Sequence, residues 1–190
     1  MGNTLDKIMV LASTFPNSSA DSVPTFVQDQ IKMFKLNNPN TEFIVIAPSY
    51  KGRKPEKSNY YTHIRYRYFF SRYEKLTEKG ILPTIKTNVL YIGVIPFFIL
   101  FQIIFTLNLA RKYKPDYIYA HWVMPQALTA LFIYKLLGIP YVFSTHAHDA
   151  EILGKVPIIG PILLNNIVKS SKKFTADSGN TEMKLKKLIF

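Results

Sequence analysis

The sequence predicts an α/β fold with a doubly wound, mostly parallel sheet, and three observations support this prediction. Residues 7–13 and 42–48 are near-continuous apolar runs, the pattern of central strands that are buried on both faces. Residues 115–149 read as strand, helix and strand in succession. Helical and strand patterns alternate along the remaining chain, which is typical of a parallel sheet covered by helices.

Length and composition indicate one domain with a basic surface. A chain of 190 residues suits a single domain with a substantial core. Its 24 Lys and Arg against 12 Asp and Glu give a net charge of +12, which implies an anionic partner such as phosphate, acidic lipid or nucleic acid. The lack of cysteine excludes a disulfide framework, a zinc-thiolate site and a cysteine nucleophile. The amino-terminal residues show no signal-peptide pattern, so we expect a cytoplasmic protein.

A polar loop, residues 14–22, follows the first strand and should overhang its carboxyl end. Asp21 or Ser22 is the expected N-cap of a helix that has Pro24 in its first turn and lasts to about Leu36. The expected buried stripe of this helix is Val27, Ile31 and Phe34. The loop either binds an anion or a sugar through its backbone N–H groups or simply connects strand to helix, and no glycine-rich phosphate motif decides between the two.

Basic residues dominate the next part of the chain. Residues 49–59 are polar and rich in lysine, which predicts a mobile surface loop. Residues 63–73 then alternate, placing His63, Arg65 and Arg67 on one face and Ile64, Tyr66 and Tyr68 on the other. We favour an edge strand with a solvated basic face over arginines and aromatics that stack on nucleobases, and therefore expect no specific binding of nucleic acid.

Residues 87–110 contain no charged side chain and are long enough to cross a bilayer. Pro96 and several polar residues within the stretch argue against a transmembrane segment. Helical spacing of apolar residues predicts a helix that lies on the sheet through Phe98, Phe101, Phe105 and Leu109. A core helix is preferred, ahead of a partly exposed helix that contacts a membrane and, last, a true span.

Polar residues follow two predicted strands, residues 115–122 and 141–144, which a helix over residues 126–137 joins. Gly138 has the position of a helix-terminating glycine. Because the carboxyl ends of parallel strands meet at one edge, polar side chains from both strand ends should gather where open α/β sheets bind ligands. The residues expected there are His121, His146, His148 and Asp149.

More than one chemical role fits these residues. His121 is either a hydrogen-bonded core histidine or a ligand contact, and Trp122 is either a packing anchor or an apolar platform for a sugar ring. His146 with Asp149 can titrate near neutral pH and move a proton. Two imidazoles and a carboxylate also suggest a metal, but a convincing further ligand is lacking, and no metal is predicted.

The last part of the chain predicts a Pro/Gly loop at residues 154–161, suited to a lid or a lipid contact, and a short helix at residues 162–169. A weak strand at residues 172–177 follows, and Ser178 opens a final helix. That helix lacks any C-cap signal where the chain stops, which indicates a domain truncated before a further one.

Several short pieces of this sequence occur in the order found in a known family. They are residues 13–16, residues 24–27 with Gln30, Pro115 with Asp116, residues 120–122 with Pro125, and residues 138–140, 145–149 and 176–178. With these pieces, the chain resembles the amino-terminal domain of GT-B glycosyltransferases of family 4. The resemblance implies a Rossmann-like domain that binds the acceptor, forms one half of a GT-B fold, and faces a second domain that binds the nucleotide-sugar.

The same resemblance implies roles for individual residues. His146 and Asp149 would be catalytic. Substrate would contact Thr14, Phe15, Pro16, Ser18, Ser19, His121, Trp122 and His148. The expected activity is that of a retaining glycosyltransferase, of the hexosyltransferase type, which uses a nucleotide-sugar as donor substrate and needs no cofactor.

The expected setting is the inner face of a membrane, where the enzyme would make a cell-envelope or lipid-linked glycan and contact anionic lipid. The 190 residues alone should be inactive, since the donor-binding domain is missing from them. The alternative is a non-catalytic basic module that binds a membrane or a partner.

Overall fold

The computed structural model describes residues 7–18, 21, 23–49, 57–78, 80–145, 148–176, 178–179, 181–183 and 185. Its strands are β1 (Lys7–Leu11), β2 (Glu42–Pro48), β3 (Thr62–Tyr66), β4 (Tyr117–His121), β5 (Tyr141–Thr145) and β6 (Lys173–Ala176). These six form one sheet in the order β3-β2-β1-β4-β5-β6, and every neighbouring pair is parallel. The prediction of a doubly wound parallel sheet is confirmed.

Helices cover both faces of this sheet. They are α1 (Phe26–Asn37), α2 (Ile81–Thr87), α3 (Ile95–Tyr113), α4 (Leu128–Leu137), α5 (His148–Gly154) and α6 (Ile159–Ser170). On one face α1 packs Val27 and Ile31 against Val10 and Val45. On the other face the remaining helices enclose the larger part of the core, which contains Phe98, Ile118, Leu131, Phe143 and Leu164.

The local patterns that predicted the strands hold in the structure. β2 has the predicted bounds, and β1 is central and buried although it ends at Leu11, two residues early. β4 and β5 are neighbours joined by α4, which ends where Gly138 adopts a φ of 73°. Glycine tolerates this left-handed conformation without a steric cost.

The start of α1 differs from the prediction. The helix begins at Phe26 after Thr25, and its first turn contains a hydrogen bond of 2.8 Å from Thr25 Oγ1 to Asp29 Oδ2. Asp21 instead accepts a hydrogen bond of 2.7 Å from the backbone N–H of Asn17. The expected N-cap is therefore wrong for Asp21, because its carboxylate closes the loop before the helix; Ser22 lies outside the described residues.

β3 is an edge strand, as predicted, but only part of the predicted basic face is solvated, since Arg67, just after β3, is exposed. His63 and Arg65 are half-buried, and the Arg65 guanidinium donates hydrogen bonds to the carbonyl oxygens of Pro48 and Phe15. Tyr66 and Tyr68 on the other side are 1% exposed, as the alternation predicted. The solvated interpretation was wrong for His63 and Arg65 because the loop after β1 covers them. Residues 50–56 of the predicted surface loop lie outside the described residues.

α3 lies on the sheet as predicted, and of its predicted stripe Phe98 is buried while Phe105 and Leu109 are half-buried against the core. Its buried residues are Phe98, Gln102, Thr106 and Ala110. Phe101, which was expected on the buried stripe, is 42% exposed. Phe34, which was expected on the buried stripe of α1, is likewise 41% exposed. α3 thus directs polar groups into the core and leaves large apolar side chains at its surface.

Two further corrections concern helices. The segment predicted as a loop at residues 154–161 is short, since α5 ends at Gly154 and α6 begins at Ile159. Gly160, inside α6, permits this arrangement because a Cβ there would lie 1.9 Å from the carbonyl oxygen of Leu153. Helix α2 was not predicted at all, since its seven residues include Pro83 and show no clear period.

Candidate functional site

The carboxyl ends of β1, β4 and β5 lie side by side. Leu11 pairs with Ala120 and His121 pairs with Ser144, so the segments after these strands leave the sheet at the same edge. A backbone hydrogen bond of 2.8 Å from Trp122 N to Ser144 O extends this alignment. Strand order reverses between β1 and β4, and in doubly wound sheets the crevice at such a reversal is where ligands bind.

Gln126 ties the loop after β1 to the end of β4. This side chain is fully buried, and its amide oxygen accepts a hydrogen bond of 3.0 Å from Ser13 N. Its amide nitrogen donates to the carbonyl oxygen of His121 at 3.2 Å. The sequence interpretation did not identify this residue, because a glutamine that opens a predicted helix carries no chemical signal. With the amide oriented to satisfy both atoms, this side chain links the backbone of Ser13 to that of His121 at the end of β4.

Trp122 turns the chain out of β4. It has a φ of 78° and a ψ of 151°, a conformation that only glycine adopts easily, and the peptide bond from Met124 to Pro125 is cis. Its indole packs edge-on against Phe26 of α1 with ring centroids 5.7 Å apart. The side chain is half-buried and also lines a cleft described below. Strained backbone of this kind is concentrated at functional sites.

His121 points to the α1 face of the sheet. It is 1% exposed, its Nδ1 lies 3.1 Å from Ser144 Oγ, and its ring lies 4.4 Å from that of Tyr119. These contacts match the hydrogen-bonded core histidine among the two roles considered above. The residue also borders an apolar groove of about 540 Å³ between α1 and the sheet.

The loop after β1 folds inward. Phe15 is fully buried and contacts the rings of Tyr61 and His63 at centroid distances of 5.3 and 4.8 Å. Asn17 is 4% exposed, and neither atom of its amide group has a hydrogen-bond partner among the described residues. A buried amide without a partner costs about 1–3 kcal/mol, and such groups in native proteins call for an explanation. Sequence reasoning selected Thr14, Phe15, Pro16 and Ser18 in this loop but not Asn17.

His63 has an unusual environment beside this loop. Burial, together with the nearby charge of Arg65, lowers the pKa of His63 to about 3. The imidazole is therefore neutral at physiological pH and cannot supply positive charge to an anion. Arg65 remains the charged group of this edge strand, and its guanidinium holds the carbonyl oxygen of Phe15.

An apolar cleft opens beside the strand ends. It has a volume of about 410 Å³ and extends from Thr14 and Trp122 to Ile85 of α2, Ile99 of α3 and Ile152 of α5. Small-molecule sites in proteins typically measure about 300–1,000 Å³. The loop after β1, the turn after β4 and three helices on one face of the sheet thus enclose a space of ligand size.

Some predicted site residues fall outside this description. Ser19 and His146 lie outside the described residues, and His148 and Asp149 open α5 with side chains that are not described. Among the side chains that are described, no three His, Cys, Asp or Glu residues group as metal ligands would. The proposed roles of these residues, and the expectation of no metal, stay predictions.

Comparison with solved structures shows what the fold resembles. No protein-family model matches the sequence, and no curated protein matches it. The chain is similar to Glycyrrhiza uralensis UGT73P12, solved in complex with glycyrrhetinic acid 3-O-monoglucuronide, with a TM-score of 0.52 and 14% identity. It is also similar to UDP-GlcNAc 2-epimerase from Methanocaldococcus jannaschii, with a TM-score of 0.49 and 13% identity.

Coverage is unequal in these comparisons. The matches include 98% and 95% of this chain but only 47% and 42% of the two solved chains. The chain therefore spans less than half the length of either. At such low identity the likeness to UGT73P12 shows the fold alone, which is one Rossmann-like half of a GT-B fold. The predicted Rossmann-like α/β fold class is confirmed, whereas the assignment to family 4 stays a prediction.

Proposed function

We propose that this chain is the acceptor-binding half of a nucleotide-sugar-dependent glycosyltransferase. The observation that carries the proposal is the meeting of the β1 loop with the ends of β4 and β5 at the strand-order reversal, beside a cleft of about 410 Å³. The fold of one GT-B half supports it. A donor-binding half would be supplied by residues or a subunit beyond these 190, so the 190 residues alone should not turn over.

The chemistry assigns separate tasks to the two halves. Transfer of a sugar needs charge stabilisation on the departing phosphates, a positioned acceptor hydroxyl and a group that helps to move its proton. In the proposal His146 helps to move the proton of the acceptor hydroxyl, and Asp149 supports either that hydroxyl or the loop that carries His146. Retention of configuration is the outcome that we expect, and the donor's phosphates would be bound mainly by the other half.

Asn17 is the further residue that we add to this site. Its buried amide lacks a partner among the described residues, and it lies in the loop that follows β1. A sugar hydroxyl is able to accept from the amide nitrogen and donate to the amide oxygen. Thr14 and Ser18, in the same loop, offer hydroxyl groups for the same purpose.

The membrane setting rests on α3 and the segment before it. The apolar stretch Val89–Tyr113 is long enough to cross a membrane, and only 22% of its most apolar 18-residue window is buried inside the protein. A core helix of a soluble protein would be mostly buried. We infer that this surface lies on the inner face of a membrane, where the acceptor would be a lipid-linked or cell-envelope glycan. The same exposed surface favours the second candidate, a membrane- or partner-binding module without catalysis.

Sugar transfer is the test of the proposal. The protein, isolated from its source cells at its native length, is incubated with a panel of labelled nucleotide-sugars and a lipid extract of those cells. We expect label in the lipid fraction together with release of the nucleotide. Replacement His146→Ala should reduce the rate by about 10²–10⁴-fold, the range of a general acid or base.

A matched change separates chemistry from stability. Met33→Ala alters an exposed residue on α1, across the sheet from α3, and should leave the rate unchanged. Vesicle binding should be the same for wild type and His146→Ala. If no donor in the panel supports transfer by the native-length protein, yet vesicles are bound, the non-catalytic module replaces the enzyme.

A further inference from the structure

The cleft beside the strand ends is almost entirely apolar. Of the described residues that line it, only Ser13, Thr14 and Trp122 have polar side-chain atoms, and none is charged. These three lie together at the rim where β1 and β4 end. The cleft therefore has a polar end at the proposed site and an apolar body formed by the helices.

This chemistry suits hydrocarbon better than sugar. An apolar cavity offers water few hydrogen bonds and tends to stay dry, whereas it gains free energy from each methylene group that it removes from water. A glycan, with a hydroxyl on most carbons, would leave those hydroxyls without partners along the walls. The body of the cleft consequently selects for a chain without polar groups.

The cleft is accessible from the surface of the protein. Pro83 and Ile152 on its walls are exposed, and Ile85, Ile95 and Ile99 are half-buried. A long flexible chain is able to enter such an opening without unfolding of the walls.

An exposed apolar surface adjoins the cleft. Leu90 is 83% exposed and Leu100 is 51% exposed, and Phe97, Phe101 and Ile104 of α3 are exposed as well. Ile99 lines the cleft while Leu100, the next residue of the same helix, faces outward. One helix thus presents apolar side chains both to the cleft and to the surroundings. A hydrocarbon chain that passes from a bilayer at this surface into the cleft therefore meets no polar barrier.

Charge at the ends of this surface identifies the head group. Lys86 precedes it, and Arg111, Lys112 and Lys114 follow it, all exposed. The protein as a whole carries a net charge of +12. Cations beside an apolar opening favour anionic amphiphiles, whose head group stays in solvent next to the cations while the hydrocarbon chain is buried.

We propose that the cleft binds the hydrocarbon chain of an anionic membrane amphiphile, an alkyl or isoprenoid phosphate in chemical class. The chain occupies the body between α2, α3 and α5, and the head group lies at the open mouth beside Lys86, the exposed residue that follows Ile85 on α2. Identification of this amphiphile as the lipid anchor of the acceptor rests on the proposed function. Binding of the hydrocarbon chain in the cleft does not rest on that function.

The experiment uses Trp122 as its reporter, because it is the single tryptophan of the chain and lines the cleft. The 190-residue protein is titrated with octyl, decyl and dodecyl phosphate carrying a terminal bromine, each below its micelle concentration. We expect bromine to quench the Trp122 fluorescence, with affinity rising about tenfold for each added pair of methylene groups. Inorganic phosphate alone should neither quench nor compete.

Neighbouring residues provide the matched variants. Ile99→Glu places a charge in the cleft and should weaken dodecyl phosphate at least about tenfold. Leu100→Glu makes the same change one residue away, outside the cleft, and should leave the affinity for monomeric dodecyl phosphate unchanged while it weakens vesicle binding. Should Ile99→Glu fail to fold, Ile152→Glu serves instead, since Ile152 is 41% exposed on the opposite wall.

Three results would overturn the inference: no quenching, quenching independent of chain length, or equal weakening by Ile99→Glu and Leu100→Glu. A dimer that forms in the absence of lipid and is lost in Ile99→Glu would assign the cleft to a second copy of the chain. The titration needs no sugar donor, so its failure leaves the glycosyltransferase proposal intact. Chain binding without sugar transfer would instead indicate a lipid-binding module.

Discussion

The phenol of Tyr66 donates a hydrogen bond of 2.9 Å to Gln102 Oε1, joining the end of the edge strand to the middle of α3. The two residues are 1% and 2% exposed. Burial raises the pKa of Tyr66 well above its ordinary value, so the phenol keeps its proton and remains the donor. This bond helps to fix the rotation of α3 about its axis, because a helix that buries Gln102 places Leu100 and Phe101 at the surface.

Gln102→Ala should destabilise the fold. It leaves the Tyr66 hydroxyl buried without its acceptor, which costs about 1–3 kcal/mol. Urea denaturation followed by circular dichroism measures the change. Asn108→Ala, on the exposed side of α3, should alter the unfolding free energy by less than about 0.5 kcal/mol. The double variant Tyr66→Phe with Gln102→Leu should recover most of the loss, and a double variant as unstable as Gln102→Ala would contradict the assigned bond.

Vesicle binding should depend on the outer face of α3. Leu100→Glu removes a large apolar contact and adds a charge, so partition into anionic vesicles should fall at least about tenfold. Sedimentation with vesicles measures the bound fraction. Met33→Glu is the control, since Met33 is 66% exposed on α1, across the sheet from α3. An equal decrease in both variants would mean that total charge alone, rather than this face, drives the binding.

His63 should make stability depend on pH. Its pKa is about 3 in the fold, lowered by burial and by Arg65, against 6.5 for the free side chain. Below pH 6.5 the unfolded chain binds a proton that the folded chain does not, so stability is full above this pH and falls towards pH 3. The slope should approach about 1.4 kcal/mol per pH unit.

His63→Gln isolates that effect. The variant cannot titrate at this position. The unfolding free energy of wild type minus that of the variant should therefore decrease as the pH falls from 7 to 5. Urea denaturation at a series of pH values measures it. A difference that stays constant over this range would show that His63 titrates normally in the folded state.

Gly160→Ala should displace α5 or destabilise α6. The new Cβ would lie 1.9 Å from the carbonyl oxygen of Leu153, a backbone atom that cannot rotate away. Overpacking of this kind typically costs about 1–3 kcal/mol. Gly93→Ala is the matched change, because a Cβ added at Gly93 would meet no described atom within 4 Å. Melting temperatures of the two variants should differ clearly, and similar values would mean that α5 adjusts freely.

Asn17 should separate stability from function. Asn17→Val removes a buried amide that lacks a partner among the described residues. Without substrate, the variant should therefore be at least as stable as wild type. If the amide binds substrate, the same variant should raise KM for the acceptor in the native-length enzyme. Thermal melting and transfer kinetics measure the two effects. Loss of stability with unchanged kinetics would assign Asn17 to the architecture of the loop.

Sequence patterns predicted the sheet well because they report local burial. The apolar run of β2 and the glycine that ends α4 each depend on neighbours a few residues away, and both occur where expected. The meeting of the β4 and β5 ends followed from the rule for parallel strands. The site residues Gln126 and Asn17 escaped prediction, since neither amide differs in sequence from one on an ordinary surface.

The sequence by itself determined the alternation of strands and helices, the basic charge and the edge of the sheet at which the candidate site lies. Only the tertiary structure decided which side of α3 is buried and how much of the basic face of β3 is covered. α3 shows the physical reason: its apolar residues cover most of its circumference, so periodicity cannot choose a face, and a hydrogen bond to Tyr66, 36 residues distant in sequence, decides instead. In the same way, contacts with Phe15 cover His63 and Arg65, which a pattern of alternating residues had left in solvent.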